Sequence, residues 1–158
     1  MKKVIEDSSI AISLLENLPE TPKGKTGILG HSYGGNTVIF HSPFDNRIAL
    51  SCSSGAVCSY RTKFQHQTGI EMAEVLPGFT AHYDIEDLLV HLASRKLLIV
   101  GADQDKYSRD SKDVYLKILP AFDKIGKEEE LTFREFSGGH GLNQERFDYI
   151  VDWFVSNF

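Results

Sequence analysis

Apolar residues at Val4, Ile5, Ala11, Ile12 and Leu15 recur at helical spacing, and the run stops at Pro19 and Pro22, which predicts a helix over about 3–17. The pattern then changes. Thr26-Gly27-Ile28-Leu29-Gly30 is a short apolar run that enters a glycine-rich turn and is followed by Asn36-Thr37-Val38-Ile39-Phe40-His41, so this stretch reads as strand, sharp turn and helix. Residues 47–52 and 96–101 are also short apolar runs without clean alternation, as strands buried on both faces of a parallel sheet are. In 131–136 polar and apolar residues interleave, which places this last strand at or near a sheet edge.

Helices are predicted over about 108–122, with Tyr115, Ile118, Leu119 and Phe122 inward, and over about 144–157, where Phe147, Ile150, Val151, Phe154 and Phe158 make one stripe. Strand and helix alternate. The expected architecture is therefore α/β, a three-layer sandwich around a mostly parallel sheet of about four strands. The longest stretch without a predicted strand, about 53–94, carries Tyr60, Phe64, Met72, Leu76, Pro77, Phe79 and Tyr83. A connection so long and so apolar is expected to be a cap-like insertion over a partly hydrophobic pocket.

With 158 residues the chain suits one domain spanning 1–158, and 41% hydrophobic against 25% charged residues is the balance of an ordinary globular protein rather than a disordered one. The net charge of -5, with lysines and arginines scattered, speaks against a nucleic-acid partner, which needs a concentrated basic surface. The opening residues alternate charged with apolar positions, and neither a signal peptide nor a membrane span is predicted from them. Cys52 and Cys58 sit among apolar and small residues with no His or Cys at metal-ligand spacing. They are expected as buried free thiols in a reducing cytoplasm.

The candidate chemistry begins at Gly30-His31-Ser32-Tyr33-Gly34, which fits G-x-S-x-G. A serine at a strand-to-helix turn is held in a strained conformation, and glycines two places either side let the chain pass close by. Its hydroxyl then stands at a helix N-terminus, where the Tyr33 N–H is placed to stabilise a developing oxyanion. A serine hydroxyl is a poor nucleophile until a histidine takes its proton and an acid orients that histidine. Among six histidines, His140 follows the last strand on the glycine loop Ser137-Gly138-Gly139-His140-Gly141, at the carboxyl end of the sheet where reacting groups gather. The acid should follow the 96–101 strand: Asp105 is preferred because it lies deeper in the loop, with Asp103 as the alternative acid or a turn-former. Tyr33, His31 and His82 are the candidate oxyanion- or substrate-binding residues. His31 adjoins the serine with its ring expected to point away, and His82 is expected to line the pocket; His41, His66 and His91 read as structural or surface histidines.

The chain order Ser32, Asp105, His140 and the segments around it resemble the α/β-hydrolase superfamily, within it the dienelactone hydrolase, acetylxylan esterase and prolyl oligopeptidase-like group. VIEDSSIAISLLENLPE followed by KTGILGHSYGGNT is similar to that group's helix and nucleophile strand, HYDIEDLLVHLASRKLLIVGADQD to its approach to the acid, and FREFSGGHGL to its histidine loop. An Ala-Pro-Arg-Pro-like stretch before the acid strand is replaced here by Ala93-Ser94-Arg95-Lys96, and a serine stands where dienelactone hydrolases use cysteine. The resemblance implies a serine hydrolase that cleaves a carboxylic ester or related acyl substrate through an acyl-enzyme, with no cofactor and no metal. The alternatives are a serine peptidase of the prolyl oligopeptidase type and a weakly active or inactive partial hydrolase serving assembly or binding.

Members of that superfamily have eight strands with the serine after the fifth, whereas this sequence supplies only that strand and the three after it. The resemblance is thus to a C-terminal half, without the loop that donates the second oxyanion N–H. The 26–30 strand becomes an apolar edge, expected to be covered by a homodimer contact or by a missing N-terminal half.

Overall fold

The four apolar runs form four strands, β1 (Thr26–His31), β2 (Ile48–Ser54), β3 (Lys96–Ala102) and β4 (Leu131–Phe136), in a computed structural model that describes residues 1–22, 24 and 26–158. They lie in the order β1-β2-β3-β4, every neighbouring pair parallel. β3 is buried along almost its whole length and β2 nearly so, which is why neither alternates. β4 is an edge, as its interleaved pattern predicts; β1 is the other, and Leu29 on it is exposed.

The helices are α1 (Lys2–Glu16), α2 (Tyr33–His41), α3 (Tyr60–Gln65), α4 (Ile85–Leu89), α5 (Ser111–Asp123) and α6 (Gln144–Asn157). On one face of the sheet Ile39 and Phe40 of α2, Ile85 and Leu89 of α4, and Val114, Ile118 and Phe122 of α5 close the larger core over Leu97 and Ile99. On the other face α6 covers Cys52, Leu98, Val100 and Phe136, using Ile150 with Tyr149, Trp153 and Phe154. Helices thus flank both faces of the sheet. Cys52 and Cys58 are buried and unpaired. Among the described residues no helix is long and apolar enough to cross a membrane.

Two expectations change here. The α6 stripe does not turn wholly inward: Ile150 is buried and Phe158 lies partly over Gly27 of β1, but Phe147 and Val151 are exposed where the sheet ends at β1. Of the stretch 53–94, Ser53 and Ser54 finish β2, while Ile85, Leu89 and Leu92 belong to the crossover that builds the main core. The part that reaches over the carboxyl end of the sheet is narrower, centred on α3 and the turn Met72–Glu74. α1 packs on α2, leaving Ile10, Leu14 and Leu18 exposed.

Candidate active site

β1 delivers Ser32 to the turn before α2, with φ 56° and ψ −122°, a backbone conformation that a non-glycine residue adopts only when its surroundings enforce it. The enforcement is visible. Ser32 N–H donates to Ser54 O at 2.8 Å, and a Cβ on Gly30 would run into the Gly34 carbonyl. The second glycine that close approach requires is Gly35, whose Cβ would meet the Ala56 Cβ at 2.6 Å; a Cβ on Gly34 meets nothing. The steric demand expected of Gly34 therefore falls one residue later.

The three residues chosen from the sequence meet here. His140 Nε2 lies 2.7 Å from Ser32 Oγ, and its Nδ1 lies 3.0 Å from each carboxylate oxygen of Asp105. A carboxylate only accepts, so Nδ1 carries the hydrogen and Nε2 is left to accept the serine hydroxyl proton. Asp105 is buried and further fixed by the Tyr107 N–H at 2.9 Å and the Ser108 hydroxyl at 2.9 Å. Asp103 does not reach His140; it accepts the Gly138 N–H at 2.7 Å and so anchors the histidine loop. Tyr33 opens α2, where the N–H of a first helical residue has no intrahelical acceptor, and it lines the hollow beside Ser32.

Other contacts at the site give no signal in the sequence. Arg146 of α6 is buried and donates to the carbonyls of Gly139 at 2.8 Å, Gly141 at 2.7 Å and Ser137 at 2.9 Å, bracing the loop on both sides of His140. The Tyr107 ring lies against the His140 ring with centroids 4.7 Å apart. His31 turns to the histidine loop: its Nε2 lies 2.7 Å from the His140 carbonyl oxygen and its Nδ1 3.0 Å from Ser54 Oγ. Both ring nitrogens are thereby occupied, and burial holds its pKa below the ordinary histidine value. The substrate-binding place expected for His31 is thus taken by protein contacts.

The hollow at Ser32 encloses about 200 Å³, and Lys63, Glu71 and Glu74 are among the residues that line it. The expected partly hydrophobic pocket is there in Tyr33, Ala56 and Tyr107, but the part of the cap that reaches it is charged rather than apolar. The Met72–Glu74 turn points Met72 to solvent and Glu74 inward, where its carboxylate accepts from Lys63 Nζ at 2.8 Å and from Asn36 Nδ2. Lys63 and Glu74 are 4% and 1% exposed, so a buried ion pair forms part of the wall next to the serine. His82 lies elsewhere, in a separate hollow with Tyr60, Arg61 and Asp87, and does not line the Ser32 pocket. Among the described residues no group of three or more His, Cys, Asp or Glu side chains could hold a metal ion.

Such a constellation can move a proton from a hydroxyl to an imidazole while a buried carboxylate steadies the resulting cation. No protein-family model matches the chain, and no curated protein matches it. Solved structures do. A glucuronoyl esterase from Solibacter usitatus superposes with TM-score 0.77 at 14% identity, over 98% of this chain and 48% of that one. The catalytic domain of a glucuronoyl esterase from Hypocrea jecorina gives 0.78 at 16%, over 98% and 50%. A carbohydrate esterase family 15 glucuronoyl esterase from Caldicellulosiruptor kristjansonii gives 0.77 at 17%, again over 98% and 50%. The chain thus has the α/β-hydrolase-type fold of these esterases and spans about half their length, matching their C-terminal part.

Proposed function

We propose, from this shared fold and from the contact of Ser32, His140 and Asp105 at the turn after β1, that the chain carries the nucleophilic site of a serine esterase. The observation that supports it most is the 2.7 Å approach of His140 Nε2 to a serine held in a strained turn. Ser32 Oγ attacks the ester carbonyl as its proton passes to His140, the Tyr33 N–H stabilises the oxyanion, and His140 returns the proton to the departing alcohol. Water, activated by the same imidazole, then frees the acyl group.

The substrate is an ester of a polar, hydroxyl-bearing compound such as a carbohydrate. The charged wall made by Lys63, Glu71 and Glu74 suits such a group better than an aliphatic chain, and the structural neighbours bear the names of carbohydrate esterases. The buried thiols support a location in the reducing cytoplasm. Hydrolysis of an acetylated sugar and of an aliphatic acetate, each beside the Ser32→Ala variant, tests this reading. Ser32-dependent turnover favouring the sugar ester is expected; equal turnover by the variant overturns it.

The edge at β1 supports a second element of the reading. Leu29 on β1, Phe147, Val151 and Phe158 at α6, and Ile10, Leu14 and Leu18 at α1 leave apolar groups exposed on a fold whose edge strand β1 pairs on one side, with β2. A further half-sheet of the same fold completes that edge and supplies a second oxyanion N–H, worth about 10²–10³ in rate where such donors have been removed. Sedimentation of the purified chain beside Leu29→Lys reads this. Self-association abolished by the charge is expected of an edge seeking a strand, and a second copy of the chain in ordered two-fold contact there would replace the half-sheet as its occupant.

A further inference from the structure

His140 stands on a loop with glycine at 138, 139 and 141, which gives its backbone unusual freedom for a residue whose ring must be placed to a fraction of an ångström. Arg146 and Asp103 brace the positions around it: the carbonyls of Ser137, Gly139 and Gly141, and the N–H of Gly138. Neither touches the His140 carbonyl. Among the described residues the side chain bonded to that oxygen is His31, the residue immediately before Ser32.

The hydrogen bonds of His31 are mutually consistent. A carbonyl accepts, so Nε2 carries the hydrogen and donates to His140 O, and Nδ1 accepts from the hydroxyl of Ser54, itself buried at the end of β2. The rings of His31 and His140 lie 5.0 Å apart, tilted by 35°. Asp105, Arg146 and His140 are the charged or titratable groups acting on His31: burial, helped by the His140 ring and Arg146, lowers its pKa, while the bond to the His140 carbonyl and the Asp105 carboxylate raise it. A neutral ring there adds no positive charge beside His140 when that residue takes up the serine proton.

We propose that His31 is a positioning residue for the Ser32 reaction, tying the backbone of His140 to the strand end that carries the nucleophile. Resting on the esterase reading above, the proposal adds to it why the residue before the serine is a histidine. A displacement of the turn is carried to the base through one hydrogen bond, so nucleophile and base keep their 2.7 Å separation.

The test uses His31→Leu, which removes the donor, His31→Gln, whose amide still reaches a carbonyl, and His31→Asn, whose amide is too short. Three readouts are taken: kcat and KM on an ester hydrolysed in a Ser32-dependent manner, the thermal unfolding midpoint, and amide hydrogen exchange of the 137–143 segment. His31→Leu and His31→Asn should lower kcat about 10- to 100-fold with KM within about twofold and exchange faster in that segment, while His31→Gln recovers most of both. Wild-type kcat and exchange in His31→Leu overturn the proposal, as does a loss that His31→Gln shares in full. If the wild type shows no Ser32-dependent turnover, the esterase reading fails, and the exchange of the 137–143 segment alone decides the tie between His31 and His140.

Discussion

A Cβ placed on Gly55 would stand 2.9 Å from Cε1 of His31, nearer than side-chain carbons approach one another. The same Cβ would lie 3.3 Å from His140 Cε1 and 3.3 Å from Asp105 Oδ2, and Gly55 has φ +61°. This glycine is the floor on which the His140 imidazole and the Asp105 carboxylate rest. Gly55→Ala is therefore expected to slow covalent labelling of Ser32 by about tenfold or more while the chain remains folded, read as labelling rate beside thermal unfolding.

Asp105 and Asp103 do different work on the same loop. Asp105→Asn removes the carboxylate that fixes the His140 tautomer, and Ser32-dependent turnover should fall by about 10⁴-fold, as loss of the orienting acid does in serine hydrolases. Asp103→Asn retains a carbonyl oxygen to accept the Gly138 N–H and should cost about tenfold at most. Steady-state kinetics of the two variants side by side distinguish an acid from an anchor.

Much of this fold is legible in the sequence because burial writes itself into residue type. β4 and α6 have the bounds that their patterns predict, and the Gly30 and Ser32 spacing marks the turn because backbone crowding leaves only glycine there. His140 and Asp105 follow from their places at strand ends. What stays illegible depends on contacts across the chain. Lys63 and Glu74 look like surface charges until the Met72–Glu74 turn brings one against the other, and Arg146 looks like a solvated helix residue until the loop before α6 folds over it. The α6 stripe misleads for the opposite reason: Phe147 and Val151 are apolar, but the sheet beneath them ends at β1.

The buried pair at the pocket wall makes a prediction about stability. Glu74→Gln keeps an acceptor for Asn36 but leaves the Lys63 ammonium buried without its counter-charge, a change that costs about 3 to 5 kcal/mol in comparable sites. The double variant Lys63→Met/Glu74→Gln should recover most of that loss, because the uncompensated charge is gone. Denaturant unfolding of the wild type and these two variants measures the recovery; a double variant as unstable as the single one would contradict it.

Far from the site, Asp45 ties α2 to the start of β2, and the Arg47 guanidinium beside it, bonded at 2.8 Å, holds its carboxyl down to about 2 from 3.8. A carboxylate lowered on folding stabilises the protein fully above 3.8, and the contribution disappears as pH falls from there through about 2. Discounted for the partly exposed Arg47, the effect is about 1 to 2 kcal/mol. Asp45→Asn should lower stability by that amount at neutral pH and flatten the acid limb of the unfolding curve within that window.

The central claim is that Ser32, activated by His140, is a nucleophile. Fluorophosphonate treatment of the purified chain, read by intact mass beside folded Ser32→Ala and His140→Ala variants, measures it most directly. One adduct on the wild type and none on either variant is the predicted result. An unlabelled wild type, or a Ser32→Ala protein that still takes up one equivalent, would contradict it.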